Sequence, residues 1–364
     1  MNKNIIFLIP SISGGGAERV IVDLSNMFAK NNYNVSIFCI YKKKIEEYKL
    51  DNNITVSYLN SKHISLSAFK LLSILLKSKK SIVISSITPL NCIVSLFKIF
   101  IKKHSLILMQ HEIPSWEFNQ KGLITRSLPL FMRILYKYAD SIVCVSKGLK
   151  KEMEDLLGKF SKHKIKQIYN LNSITNFKRE KKSEFSEKKL LNKKLIKVLS
   201  VGRLDRSKDL TSLIKAFDLF RKEVNSTLTI VGSGPQKNKI NNLINYLELQ
   251  KYIKLIPFKK DIYSSYKESD IYVSSSVHES FGNTIVEAMY FGLHIVVTDC
   301  PYGPKEICEY GTYGYIAKAS SYKDIYEKLL ICYKEDSVPN YDKNLKRFSE
   351  ESIIKQFLDL PCFR

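Results

Sequence analysis

Eleven short apolar runs, with stretches of helical spacing between most of them, leave this chain few folds to choose from. They are Ile5–Ile9, Val35–Ile40, Ile82–Ser86, Ser105–Met109, Ser141–Ser146 and Ile165–Tyr169 in the first half, then Ile196–Val201, Leu228–Val231, Ile253–Pro257, Ile271–Ser275 and Ile295–Thr298. A strand with one face in water alternates apolar and polar residues. These runs do not alternate, so they read as strands buried on both faces. Such strands lie parallel, and parallel neighbours need a crossover of a dozen residues or more. Ala17–Lys30 supplies one, with Val20, Val22, Leu24, Met27 and Phe28 at roughly helical spacing. Leu210–Val224, Lys237–Leu247, Asp261–Glu268 and Thr284–Phe291 supply others. The pattern predicts an α/β chain of doubly wound sheets.

At 364 residues and 45% hydrophobic content the chain can fill two such cores. The alternation breaks once, at 173–194, where Lys and Glu dominate. The expected organisation is a first domain over 1–172, a charged hinge at 173–194 and a second domain over 195–345. A C-terminal helix in 346–364 is expected to pack back on the first domain. There is no tandem repeat.

Open α/β sheets bind ligands beyond the carboxyl ends of their strands, so candidate functional residues are sought there. After the first strand comes Ser11-Ile12-Ser13-Gly14-Gly15-Gly16, whose glycines let backbone approach a phosphate. A dinucleotide fingerprint does not fit: Ala17-Glu18-Arg19 follows, the third glycine is absent, and no acidic residue ends the second strand. Nor does a P-loop Gly-Lys-Ser/Thr follow. His111 falls just past the Ser105–Met109 strand, a place compatible with a structural or a ligand-facing histidine. Val201-Gly202-Arg203-Leu204-Asp205-Arg206-Ser207-Lys208 leaves the second domain's first strand with two cations, Arg203 and Lys208, suited to a diphosphate. Gly232-Ser233-Gly234 ends the next strand. Glu279 and Glu287 flank the turn Phe281-Gly282-Asn283, where a helix start adds amide donors to two acceptor carboxylates. Each loop alone is also compatible with solvated surface. Together, on two facing domains, they suit a nucleotide diphosphate-sugar.

The formal net charge is +23, and residues 1–170 hold 26 Lys and Arg against 11 Asp and Glu. A lysine-rich coding bias accounts for part of this. The skew toward the first half is that of a domain docking on an anionic surface. Leu71–Lys80 and Phe97–Lys103 mix Leu, Ile or Phe with Lys, as interfacial helices do, and as core helices with snorkelling lysines also do. Met1–Pro10 is too short for a signal-peptide core, and Ser81–Phe97 is too short and polar to span a bilayer. Seven scattered cysteines with no C-x-x-C pair point to a reducing compartment. The expected place is cytoplasmic, peripheral on the inner face of the cell membrane.

In that order, Gly14-Gly15-Gly16-Ala17-Glu18-Arg19, Gly202-Arg203-x4-Lys208, Gly232-x-Gly234, Glu279-x7-Glu287 and Pro301-Tyr302-Gly303-Pro304-Lys305-Glu306 resemble glycosyltransferase family 4. These are retaining enzymes of the GT-B fold, two Rossmann-like domains facing across a cleft. The resemblance covers essentially the whole chain and is strongest over 196–318. Within the family it is similar to transferases of bacterial capsule, O-antigen or protein-glycan assembly. It implies that Arg203 and Lys208 neutralise the departing diphosphate and that Glu287 holds the ribose. Glu279, with the amides of Phe281, Gly282 and Asn283, would hold the transferred sugar. His111 would lie near the reacting carbon, the Gly14–Gly16 loop would approach the diphosphate or acceptor, and Gly232 would belong to the donor site. Asn170-Leu171 departs from the Asn-Pro of many relatives.

No D-x-D triplet occurs in the chain. Arg203 and Lys208 can replace the metal such a pair would hold, so no metal and no cofactor beyond the UDP-sugar donor are expected. The expected function is retaining transfer of a hexose or N-acetylhexosamine from a UDP-sugar to a growing glycan, carried on lipid diphosphate, in surface polysaccharide biosynthesis. Alternatives are a nucleotide-sugar epimerase or phosphorolytic enzyme of the same fold, or a non-catalytic basic protein binding membrane or nucleic acid. The chain has no nucleic-acid-binding motif, so nucleic acid is not an expected partner.

Overall fold

A computed structural model describes residues 3–42, 48–117, 126–172, 174, 190–191, 193–258, 262–335 and 338–364. The chain divides into two compact units, Met1–Ser173 with Phe348–Arg364, and Ile174–Arg347. Most of the charged stretch expected as a hinge, including 175–189, lies outside the described residues.

The first unit is built on seven strands: β1 Asn4–Ile9, β2 Asn34–Cys39, β3 Thr55–Tyr58, β4 Ser81–Ser86, β5 Ser105–Gln110, β6 Ser141–Cys144 and β7 Ile165–Gln167, in the order β3-β2-β1-β4-β5-β6-β7. The second has six: β8 Ile196–Val201, β9 Ser226–Val231, β10 Ile253–Ile256, β11 Ile271–Ser274, β12 His294–Thr298 and β13 Tyr315–Ala317, in the order β10-β9-β8-β11-β12-β13. All neighbouring pairs are parallel. Two Rossmann-like α/β units were the expected fold class, and both are present. The sequence reading missed β3 and β13. Both are short, half-buried edge strands and so carry no continuous apolar run.

In each sheet the strand order reverses at one point, between β1 and β4 and between β8 and β11. The chains leaving those neighbours depart toward opposite faces, which opens a crevice at the carboxyl edge. In the second unit the Gly202–Lys208 and Ser275–Gly282 loops border that point.

The helix Leu210–Glu223 buries Leu213, Ile214, Phe217 and Phe220 in a core that includes Ile196, Leu228 and Leu329. The chain's last residues complete the first unit. Ser349 caps the helix Glu350–Leu358 by accepting from the Ser352 amide at 3.4 Å. Phe357 and Phe363 then pack on Phe28 with centroids 5.7 and 5.4 Å away. Each such buried ring contributes roughly 1.5–3 kcal/mol relative to exposure.

Leu71–Lys77 falls within a helix, Ala68–Lys77. Phe97–Lys103 does not form one, which corrects the interfacial-helix reading of that segment: Phe97 and Lys98 end the helix Thr88–Lys98, and the chain turns. The turn is closed by the Ile101 amide donating to Phe97 O at 2.8 Å and pinned by Lys98 Nζ, 2.9 Å from Asp140 Oδ2. Among the described residues no helix is long and apolar enough to cross a membrane.

Candidate active site

The second unit gathers most of the candidate residues. Beyond β8, Asp205 accepts from the Ser207 amide at 3.0 Å and from Ser207 Oγ at 2.6 Å, which folds Arg206–Lys208 into a single 3-10 turn. Asp209 then caps the next helix by accepting from Ser212 N at 3.3 Å. This turn aims Lys208 across the switch point, where its Nζ donates to Glu279 Oε2. The two side chains are 22% and 18% exposed, so water screens the pair only in part. Burial works against the charge on Lys208. The charge and hydrogen bond of Glu279 outweigh it and raise the lysine pKa. A raised cation pKa adds stability that is fully present below the unfolded-state value and lost as pH rises through the folded-state value.

Backbone joins the same two loops. Val277 N donates to Ser207 O at 2.7 Å, and Ser275 Oγ donates to Lys208 O at 2.7 Å. A recess between them is lined by Gly202, Arg203, Lys208, Tyr272, Ser274 and Ser276. The Arg203 side chain is 75% exposed, and its Nε lies 3.4 Å from Asp205 Oδ2. Gly232 packs under this loop: its amide donates to Ile256 O at 2.8 Å, and a Cβ there would collide with the Gly202 carbonyl. Gly232 therefore shapes the loop that carries the cations.

The two-glutamate segment is braced by the chain after β12. Glu279 N donates to Pro301 O at 2.8 Å, and Glu279 O accepts from Tyr302 N at 2.7 Å and Gly303 N at 3.0 Å. Phe281 is buried. Gly282, at φ +113°, turns the chain into the helix Asn283–Tyr290, which starts one residue before the expected Thr284. Ordinary side chains rarely adopt that φ, and a Cβ would press on Ile285 Cδ1 at 2.7 Å. Glu287 follows one turn later and is 2% exposed. A buried carboxylate needs donors, and Tyr266 Oη supplies one at 2.7 Å to Glu287 Oε2. Tyr272 Oη donates to Thr284 Oγ1 at 2.6 Å, so two phenols grip the first turn of this helix. Sequence reasoning missed both tyrosines. Neither belongs to a motif, and only the fold brings Tyr266 to a residue 21 positions away.

In the first unit Gly14 has φ +84°, and Gly15 is the extended N-cap of the helix Gly16–Lys30. Tyr48 Oη donates to Gly15 O at 3.2 Å, and a Cβ on Gly15 would strike the Glu18 carboxylate. His111 follows β5 on a segment tied to the loop after β4 by Glu112 Oε2, which accepts from Thr88 N at 3.0 Å. Its side chain is buried, and among the described residues its Nε2 has no hydrogen-bond partner. Burial lowers its pKa to about 4, so the ring is neutral at neutral pH.

That shift has a measurable consequence. Between the unfolded-state pKa near 6.5 and the folded-state value of about 4, the unfolded chain binds a proton that the folded one does not. Stability is unaffected above this window and falls by roughly 3 kcal/mol as pH drops through it. His111→Gln should show a correspondingly shallower acid dependence of its urea midpoint. Parallel slopes for the two proteins would refute the assignment.

Two Rossmann-like units, each with a strand-order reversal, are the architecture of GT-B glycosyltransferases. Among solved structures, HepE of Anabaena in complex with UDP and glucose aligns with a TM-score of 0.78 over 98% of both chains, at 18% identity. Residues 14–171 match the model for Glycosyltransferase Family 4, and residues 181–352 the model for Glycosyl transferases group 1. An uncharacterised glycosyltransferase of Methanocaldococcus jannaschii is 31% identical over 79% of this chain and 76% of its own. A second relative, from Campylobacter jejuni, is an N-acetylgalactosamine-N,N'-diacetylbacillosaminyl-diphospho-undecaprenol 4-alpha-N-acetylgalactosaminyltransferase. It is 25% identical over 98% of this chain and 96% of its own. The chain belongs to glycosyltransferase family 4, and the protein is a glycosyltransferase.

Proposed function

We propose that the protein transfers a hexose or N-acetylhexosamine, with retention, from a UDP-sugar to a growing glycan carried on lipid diphosphate, at the inner face of the cell membrane. The observation that carries the donor reading is the Lys208–Glu279 pair at the second unit's switch point, with Arg203 on the same loop. When the glycosidic bond to the donor breaks, negative charge develops on the departing diphosphate. Lys208 and Arg203 supply fixed positive charge there, with no divalent metal required. Glu279 accepts from hydroxyls of the transferred sugar, with the amides of Phe281, Gly282 and Asn283 around it. Glu287, held by Tyr266, accepts from the ribose hydroxyls. His111, neutral and with Nε2 unspent, offers one hydrogen bond to the transferred sugar. The Glu18 carboxylate over Gly15 disfavours an anion at the first glycine loop, which therefore suits acceptor hydroxyls better than phosphate. The UDP and glucose held by the Anabaena structure and the diphospho-undecaprenol named for the Campylobacter relative support the two substrate classes.

The test is a screen of UDP-sugars against lipid-diphosphate-linked acceptors, with products read by mass spectrometry in the presence of a chelator. Arg203→Ala is expected to lower kcat/KM roughly tenfold or more, because a charge-assisted hydrogen bond contributes on the order of 1.5–3 kcal/mol. Unchanged kinetics would remove Arg203 from the site. Donor turnover that needs no acceptor would turn the reading toward an epimerase.

A further inference from the structure

We propose that the first unit docks on an anionic lipid bilayer through the face made by residues 66–80, the turn at 99–103 and the helix Leu128–Leu135. Among the described residues of that unit, all large hydrophobic side chains left exposed, apart from Leu358, fall between positions 66 and 138. The helix Ala68–Lys77 turns Leu71 and Leu75 inward, while Phe69 is 85% and Leu76 57% exposed, seven residues apart and so on one outward stripe with Leu66. Lys103 Nζ donates to Leu76 O at 2.7 Å and Ser78 O at 2.6 Å. This places the turn bearing Phe100, 77% exposed, beside the end of that stripe. The helix Leu128–Leu135, which packs on the helix Thr88–Lys98, adds Leu130 at 59% and Ile134 at 48%.

Charge identifies the occupant. From 52 through 111 the sequence has no Asp or Glu and eight lysines, and Lys70, Lys77, Lys79 and Lys80 flank the stripe directly. Asp140, paired with Lys98, is the carboxylate the turn at 97–103 meets. Apolar side chains standing out of a lysine-rich field suit a bilayer, whose headgroups take the lysines while its acyl boundary takes the rings. Nucleic acid would satisfy the cations and leave Phe69 and Leu76 in water. A second copy would set two such cationic faces against each other. The turn at 99–103 takes part without being helical, because what it contributes is Phe100, Lys102 and Lys103.

The surface does not depend on the sugar-transfer reading and is measured apart from it. The full-length protein is sedimented with phosphatidylcholine vesicles with and without phosphatidylglycerol. Binding is expected only to the anionic vesicles, and to weaken with salt. Phe69→Ser combined with Phe100→Ser should lower the partition coefficient roughly tenfold or more. Lys77→Glu with Lys80→Glu should do the same. All four positions are at the surface, so far-ultraviolet dichroism and the UDP dissociation constant should not change. Three outcomes overturn the proposal: no binding, vesicle binding that the Phe variants do not alter, or a concentration-dependent dimer that Phe69→Ser dissolves. A failed transfer assay alone leaves these outcomes unaffected.

Discussion

Lys208→Met is expected to lower kcat/KM for sugar transfer by about two to three orders of magnitude. Two effects combine. The departing diphosphate loses a cation held in place before the reaction begins. Glu279, 18% exposed, is left as a carboxylate without its partner at the point where the donor's own negative charge must enter. Breaking a buried ion pair by removing one member costs on the order of 3 kcal/mol, so thermal stability should also fall, by somewhat less because both groups retain some solvent. Glu279→Gln separates the effects. It leaves Lys208 free to engage phosphate, so UDP should bind as well as in the parent protein or better, while transfer of the sugar slows. In the double variant Lys208→Met/Glu279→Gln stability should recover and kcat/KM should not. If kcat/KM recovers along with stability, the pair is a structural clasp and the electrostatic role is wrong.

Glu287→Gln should weaken UDP binding by about ten- to a hundredfold, the value of one or two hydrogen bonds to a charged acceptor. Its carboxylate is buried in a helix turn gripped by Tyr266 and Tyr272, so its position is set before any nucleotide arrives. Tyr266→Phe removes only the hydroxyl 2.7 Å from Glu287 Oε2. The variant should lose about 1–3 kcal/mol of stability, because a buried hydrogen bond to a carboxylate is removed. Its UDP affinity should drop by about tenfold. Urea unfolding and calorimetric titration with UDP measure the two effects. A stability loss with unchanged UDP affinity would mean that Tyr266 supports the fold rather than Glu287.

Much of this protein is legible in its residues one element at a time. The buried strands are visible because a parallel strand covered on both faces must be apolar throughout, and the edge strands β3 and β13 are hidden because they need not be. The glycine, cation and carboxylate loops are visible because each directly follows such a run. The segment Phe97–Lys103 misled because its composition is that of an interfacial helix, while closure onto β5 leaves it no length to continue one.

What the sequence by itself determined is local: which stretches must be buried, where the chain turns, and which chemical groups stand at strand ends. Only the tertiary structure decided which of those groups meet. Lys208 reaches Glu279 across 71 positions because β8 lies beside β11, and strand order is a property of the assembled sheet that no single run encodes. Tyr266 reaches Glu287 because the short helix Tyr263–Lys267 lies against the helix Asn283–Tyr290 on the far side of β11 in the chain, with Tyr266 stacked on Phe291. Spacing along the chain carries no trace of either partnership, since both are set by which elements share a core.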